Sequence, residues 1–146
     1  MDVEMNHVRV GNWFLSLPDD LVFDDNNRTP HFKSADGRIE VFVKSVKIAS
    51  TRTAEATANY IQNIHESSLR ELPGYEWQAE IKTCTVGEGY KSLLELYDPH
   101  KQYYVASSVV SKSDEAVQVT VHDYLCISPE KSKTICSLIV NSIKKA

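Results

Sequence analysis

The run Glu115-Ala116-Val117-Gln118-Val119-Thr120-Val121-His122-Asp123 decides how this chain is read. Val117, Val119 and Val121 fall on one side of an extended backbone, and Gln118, Thr120 and His122 on the other. This period of two predicts a strand from Glu115 to Ile127. Working backwards, short turn signals punctuate three more apolar runs. Trp77 to Val86 turns at Gly87-Glu88-Gly89, Tyr90 to Tyr97 at Asp98-Pro99-His100, and Gln102 to Ser111 near Ser113-Asp114. Four strands with short connections predict an antiparallel meander.

A helix is expected on either side of that meander. From Thr53 to Leu72, Ala54, Ala58, Ile61, Ile64 and Leu72 recur at three- and four-residue steps, and Pro73-Gly74 ends the run. Thr51 or Thr53 is placed to cap its start. Downstream, Ser128 stands as N-cap, Pro129 as the first helical residue and Glu130 in the first turn. Ile135, Leu138, Ile139 and Ile143 mark its buried stripe, with Lys144 and Lys145 favouring its C-terminal end. Nearer the start, Trp13 to Leu17 and Leu21 to Phe23 read as two short strands around Pro18. Ile39, Val41 and Val43 alternate with Glu40 and Lys44 as a further strand after Asp36-Gly37. The fold class expected is α+β, an antiparallel sheet of about six to seven strands packed with two main helices. No linker or repeat divides residues 1–146, so one domain is expected.

Composition bounds the function. Apolar residues make up 42% and charged residues 25%, which suits a globular chain. No apolar run approaches the roughly 20 residues that span a bilayer, and the first residues are acidic. A cytoplasmic protein that does not engage a membrane is expected. The net charge is −4. Residues 1–36 hold seven acids against three bases, while residues 37–146 hold thirteen of each. An acidic first quarter argues against nucleic acid and suits a basic protein partner.

No motif announces catalysis. Gly87-x-Gly89 lies between strands, as a hairpin turn does. His7, His31, His65, His100 and His122 lack metal-ligand spacing, and no cofactor is expected. His122-Asp123 are strand neighbours and face opposite sides, which does not make a base and its orienter. Cys84, Cys126 and Cys136 are an odd number without C-x-x-C spacing, and the last two read as buried thiols. Asp19-Asp20 and Asp24-Asp25 are adjacent acids in turns, where Asp bonds the local backbone. Seven tyrosines gather on or near the sheet, and Tyr103-Tyr104 sends one ring to each face.

The order of elements resembles the PsbP/Mog-like fold. A narrower likeness lies in Trp13-Phe14-Leu15-Ser16-Leu17-Pro18, in Asn27-Arg28-Thr29-Pro30-His31-Phe32 with Ser34-Ala35-Asp36-Gly37, and in Gly74-Tyr75-x-Trp77. These segments resemble small bacterial immunity proteins encoded beside polymorphic toxins such as Rhs effectors. The resemblance implies a non-catalytic inhibitor that covers a toxin's active site. Its alternative is a type VI secretion chaperone or adaptor that binds a hydrophobic effector segment. From acidity and expected exposure, the partner-binding residues are Asp24, Asp25, Asp36, Tyr103 and Tyr104.

Overall fold

The computed structural model describes residues 4–24, 30–48, 53–70, 80–86, 89–112 and 114–145. In chain order they form β1 (Met5–Val10), β2 (Trp13–Pro18), β3 (Leu21–Asp24), β4 (His31–Ser34) and β5 (Ile39–Lys47). There follow α1 (Ala54–Arg70), β6 (Glu80–Val86), β7 (Gly89–Asp98), β8 (Tyr103–Lys112), β9 (Glu115–Asp123), α2 (Pro129–Val140) and β10 (Lys144–Lys145). The large antiparallel sheet runs β3-β4-β5-β9-β8-β7-β6, and a small one runs β1-β2-β10. The chain has the expected α+β architecture.

The meander forms as its turns require. Val86 pairs with Gly89 across the first hairpin, whose residues 87–88 lie outside the described set. At the second turn, the Asp98 carboxylate accepts the backbone N–H groups of His100 and Lys101. The chain leaves that turn through Gln102 at φ 51°, a left-handed backbone uncommon outside glycine. β9 is the last strand of the meander, yet its other edge is taken by β5, which precedes α1. That pairing makes β9 central.

Alternation along β9 sorts the two interiors. Val117, Val119 and Val121 are fully buried against Trp13 and Leu15 of the small sheet and Cys136 and Ile139 of α2. On the opposite face α1 packs over β7 and β8, with Ala58 against Val109 and Ala116. This second layer is partly polar. Gln62 is buried there, its Nε2 donating to the carbonyls of Ser92 at 2.9 Å and Ser107 at 2.6 Å. The two Nε2 bonds offset part of the cost of burying the amide, while its Oε1 has no hydrogen-bond partner among the described residues.

Several expectations are corrected here. α1 buries Ala58 and packs Ile61 beside it as expected, but it also turns Thr57 and Gln62 inward and leaves Ile64 51% exposed. The amide bonds of Gln62 therefore outrank a simple apolar stripe, and Leu72 lies outside the described residues. Thr53 does cap α1, its hydroxyl accepting the Ala56 N–H at 3.1 Å. α2 begins after Ser128 as expected, and Ile139 and Ile143 are buried with Ile135 packed against the core, but Leu138 is exposed while Ser132, Cys136 and Val140 also face inward. Lys144 and Lys145 do not finish α2. They form β10 and pair with Phe14 and Trp13, which completes the small sheet. Trp13–Pro18 and Leu21–Asp24 are both strands, although they join different sheets. Cys126 and Cys136 are free and buried, and burial pushes both thiols above their usual range. Among the described residues, no helix is long and apolar enough to cross a membrane.

Candidate functional site

Cross-strand register assembles the site. Residues directly opposite in an antiparallel pair point to the same face. His31 of β4 stands opposite Phe42 of β5, and Glu40 of β5 opposite His122 of β9. Tyr104 pairs with Asp123, so one step further Tyr103 faces Tyr124. The Tyr124 N–H donates to the Arg38 carbonyl at 2.9 Å and extends the β5–β9 ladder to that point. Four strands thus bring His31, Glu40, Phe42, His122, Tyr124 and Tyr103 together on the α1 side of the sheet.

The rings form a layer. Tyr103, His122 and Tyr124 lie with their planes within 7° of one another and their centroids 5.6–5.9 Å apart. Phe42 meets His122 edge-on at 5.6 Å and stacks on His31 at 4.2 Å. Each contact of this kind adds about 0.5–1.5 kcal/mol beyond burial alone. The Tyr103 hydroxyl and His122 Nδ1 share a hydrogen bond at 2.5 Å. Glu40 Oε2 accepts from His31 Nε2 at 3.2 Å and from the Tyr124 hydroxyl at 3.3 Å. A carboxylate only accepts, so His31 carries a proton on Nε2.

The electrostatics keep this layer uncharged at its centre. Burial, with smaller contributions from His65 and His31, pushes His122 down to about 4, so its imidazole is neutral near pH 7. Burial first, and then Glu40, pushes the Tyr124 hydroxyl up to about 12. Glu40 is the anionic group of the cluster, while Tyr124 keeps 45% of its surface in solvent. Chemically, the arrangement offers flat rings and one oriented carboxylate.

Asp123 holds the end of β9 from the opposite face, as strand alternation requires. Its carboxylate is fully buried and accepts Arg38 Nε at 3.1 Å and Arg38 Nη2 at 3.2 Å. It also accepts the Leu125 N–H at 3.0 Å and the Ser132 hydroxyl at 2.5 Å. These bonds tie β9 to α2 at the corner from which Tyr124 projects. Asp123 therefore does not orient His122; it anchors the strand that carries it.

Only part of the expected site is brought together. Tyr103 sits in the ring layer. Tyr104, expected as a partner contact, is instead 4% exposed in the main core, because adjacent strand residues take opposite faces and α2 covers that one. Burial pushes its hydroxyl well above the usual phenol range. Asp36 is exposed in the turn before β5, where it accepts the Ser34 hydroxyl at 2.7 Å and the Arg38 N–H at 3.0 Å. The bond from Ser34 is the main cause holding its carboxyl below the usual range. Asp24 ends β3, paired with His31, and Asp25 lies outside the described residues. Sequence reasoning missed His31, Glu40, Phe42 and Tyr124 as a set. Their shared face is visible in each strand's alternation, but their proximity needs the register. Among the described residues, no group of three or more His, Cys, Asp or Glu side chains is arranged to hold a metal ion.

No family model matches this sequence, and no curated protein matches it. Its structure is similar to the solution structure of cyanobacterial PsbP (CyanoP) from Synechocystis sp. PCC 6803. The TM-score is 0.73 at 10% sequence identity, covering 100% of this chain and 95% of that one. A Bacteroides thetaiotaomicron protein superposes at a TM-score of 0.46 and 9% identity, over 92% of this chain and 45% of its own. The fold of this chain is PsbP-like.

Proposed function

We propose that this chain acts by binding another protein through the ring layer at this end of its large sheet. The partner in this reading is a toxin domain, neutralised as an immunity protein does, by occlusion of its active site. The observation that carries the reading is the parallel layer of Tyr103, His122 and Tyr124, with Tyr124 nearly half exposed. Rings already held by neighbours lose little side-chain freedom on binding, and tyrosine is a preferred interface anchor. Leu125 and Ile127, which follow directly in the chain, are also exposed. Asp36 adds an acid at the same end of β5, suited to a basic cleft. Co-expression with candidate toxin domains from the native host tests the reading. A one-to-one complex, protection of the host, and loss of both on Tyr124→Ala with Asp36→Lys are expected. Protection that survives the double substitution would overturn the assignment of this face, and absence of any complex would overturn the toxin reading.

A separate feature favours the second reading, a secretion chaperone or adaptor. The outer side of α2 carries a shallow, open depression lined by Lys133, Thr134, Ser137 and Leu138. It shares Asn141 and Ser142 with a smaller hollow beside Phe14. The exposed Leu138 and Phe14 give a client helix two apolar anchors. Capture of a toxin's N-terminal hydrophobic segment, abolished by Leu138→Glu, is the result this reading expects.

A further inference from the structure

We infer that Glu40 and the rings around it form a subsite for an arginine side chain supplied by the protein partner. This rests on the reading that the partner docks on this end of the sheet. Glu40 spends both of its hydrogen bonds on one oxygen, Oε2, where His31 and Tyr124 converge. The other oxygen, Oε1, carries no hydrogen bond among the described residues, and the side chain is 24% exposed. A half-buried carboxylate with a whole oxygen unused is an acceptor for a donor that is not part of this chain. Two neighbours orient it from the other side, so an incoming group meets a fixed target.

The class of donor follows from what surrounds the carboxylate. A phosphate or carboxylate ligand would be repelled by Glu40. A cation is attracted both by the carboxylate and by the faces of Tyr and Phe rings. His122 sits neutral between the tyrosines and does not oppose a positive charge. Arg38 is engaged on Asp123 across the sheet, and Lys33 stands beside Glu40 in register on β4 as the cation an incoming group must compete with. Between the two basic side chains, arginine fits better. Its planar guanidinium stacks on aromatic rings and is more weakly hydrated than the ammonium of lysine. The acidic first quarter supplies the longer-range attraction that brings a basic partner in.

The test uses the whole chain in solution, with amide and aromatic NMR spectra recorded during titration with N-acetyl-L-argininamide. The neutral isostere N-acetyl-L-citrullinamide serves as the control. Saturable shifts confined to Glu40, Tyr103, His122 and Tyr124 are expected, with the citrulline compound at least about tenfold weaker, the scale of one hydrogen bond to a charged group. Glu40→Gln should weaken argininamide by a similar factor. Tyr124→Leu, which keeps the carboxylate and removes a ring, should weaken it too, and it carries the test if the first variant does not fold. Unsaturable or scattered shifts, or equal binding of the citrulline compound, would overturn the inference. Host protection that persists without an arginine site would overturn the subsite alone. Argininamide binding without protection would support the subsite and remove only the toxin as its source.

Discussion

Replacing Asp123 by alanine is expected to loosen the corner that carries Tyr124. The carboxylate is completely buried and accepts four hydrogen bonds, two from Arg38 and one each from Leu125 N–H and the Ser132 hydroxyl. Removing one partner of a buried pair costs about 3–5 kcal/mol, chiefly because the other is left uncompensated. The Arg38 side chain is 35% exposed, so water recovers part of that loss. Ser132 also retains its contact with Cys126 Sγ at 3.0 Å. Both facts place the expected loss at the low end, about 3 kcal/mol. For a chain of this size each kcal/mol shifts Tm by roughly 2–4 °C, so a fall of about 6–12 °C should be seen by calorimetry. Urea unfolding should show a lower midpoint with an unchanged slope. Asp123→Asn, which keeps the shape and one acceptor, should lose less than alanine. Asp123→Leu combined with Arg38→Met should recover much of the loss, because no charge is then stranded. A Tm change under about 3 °C for Asp123→Ala would mean that this ion pair does not hold the corner, and the account of how Tyr124 is positioned would fail.

Two further outcomes test other parts of the structure. His122 is held down to about 4 against an ordinary value of 6.5, so the unfolded chain takes up a proton that the folded chain refuses. Its contribution is complete above pH 6.5 and is lost as the pH falls to 4, by about 3 kcal/mol. The fall in stability over that window should become shallower in His122→Gln, and an identical pH profile would refute the assignment. Gly89→Ala builds a Cβ only 2.0 Å from the Ser111 carbonyl oxygen. Backbone must shift to admit it, so a loss of at least about 2 kcal/mol is expected by denaturant titration, and a neutral substitution would contradict the β7–β8 packing.

Local chemistry made most of the elements legible. Val117, Val119 and Val121 alternate with their neighbours as the apolar face of a strand does, and they are fully buried. Pro129 after Ser128 marked the start of α2, and the Thr53 hydroxyl caps α1. Such signals act over a few residues, so they survive in a sequence read alone. β1 carries only a weak alternation, and β10 is two lysines that look like the tail of a helix. Both become strands because Trp13–Pro18 presents an edge on either side.

What the tertiary structure decided is which strands meet. Alternation shows that Tyr103 and Tyr104 face opposite ways, but only the packing of α2 puts Tyr104 inside and leaves Tyr103 in the ring layer. Likewise Glu40 reads as a polar position on an ordinary strand. It becomes the acceptor of a cluster because β4 and β9 flank β5 in a register that a single strand does not encode. Register depends on hydrogen bonds between segments far apart in the chain, so the site is a property of the sheet and not of any one of its strands.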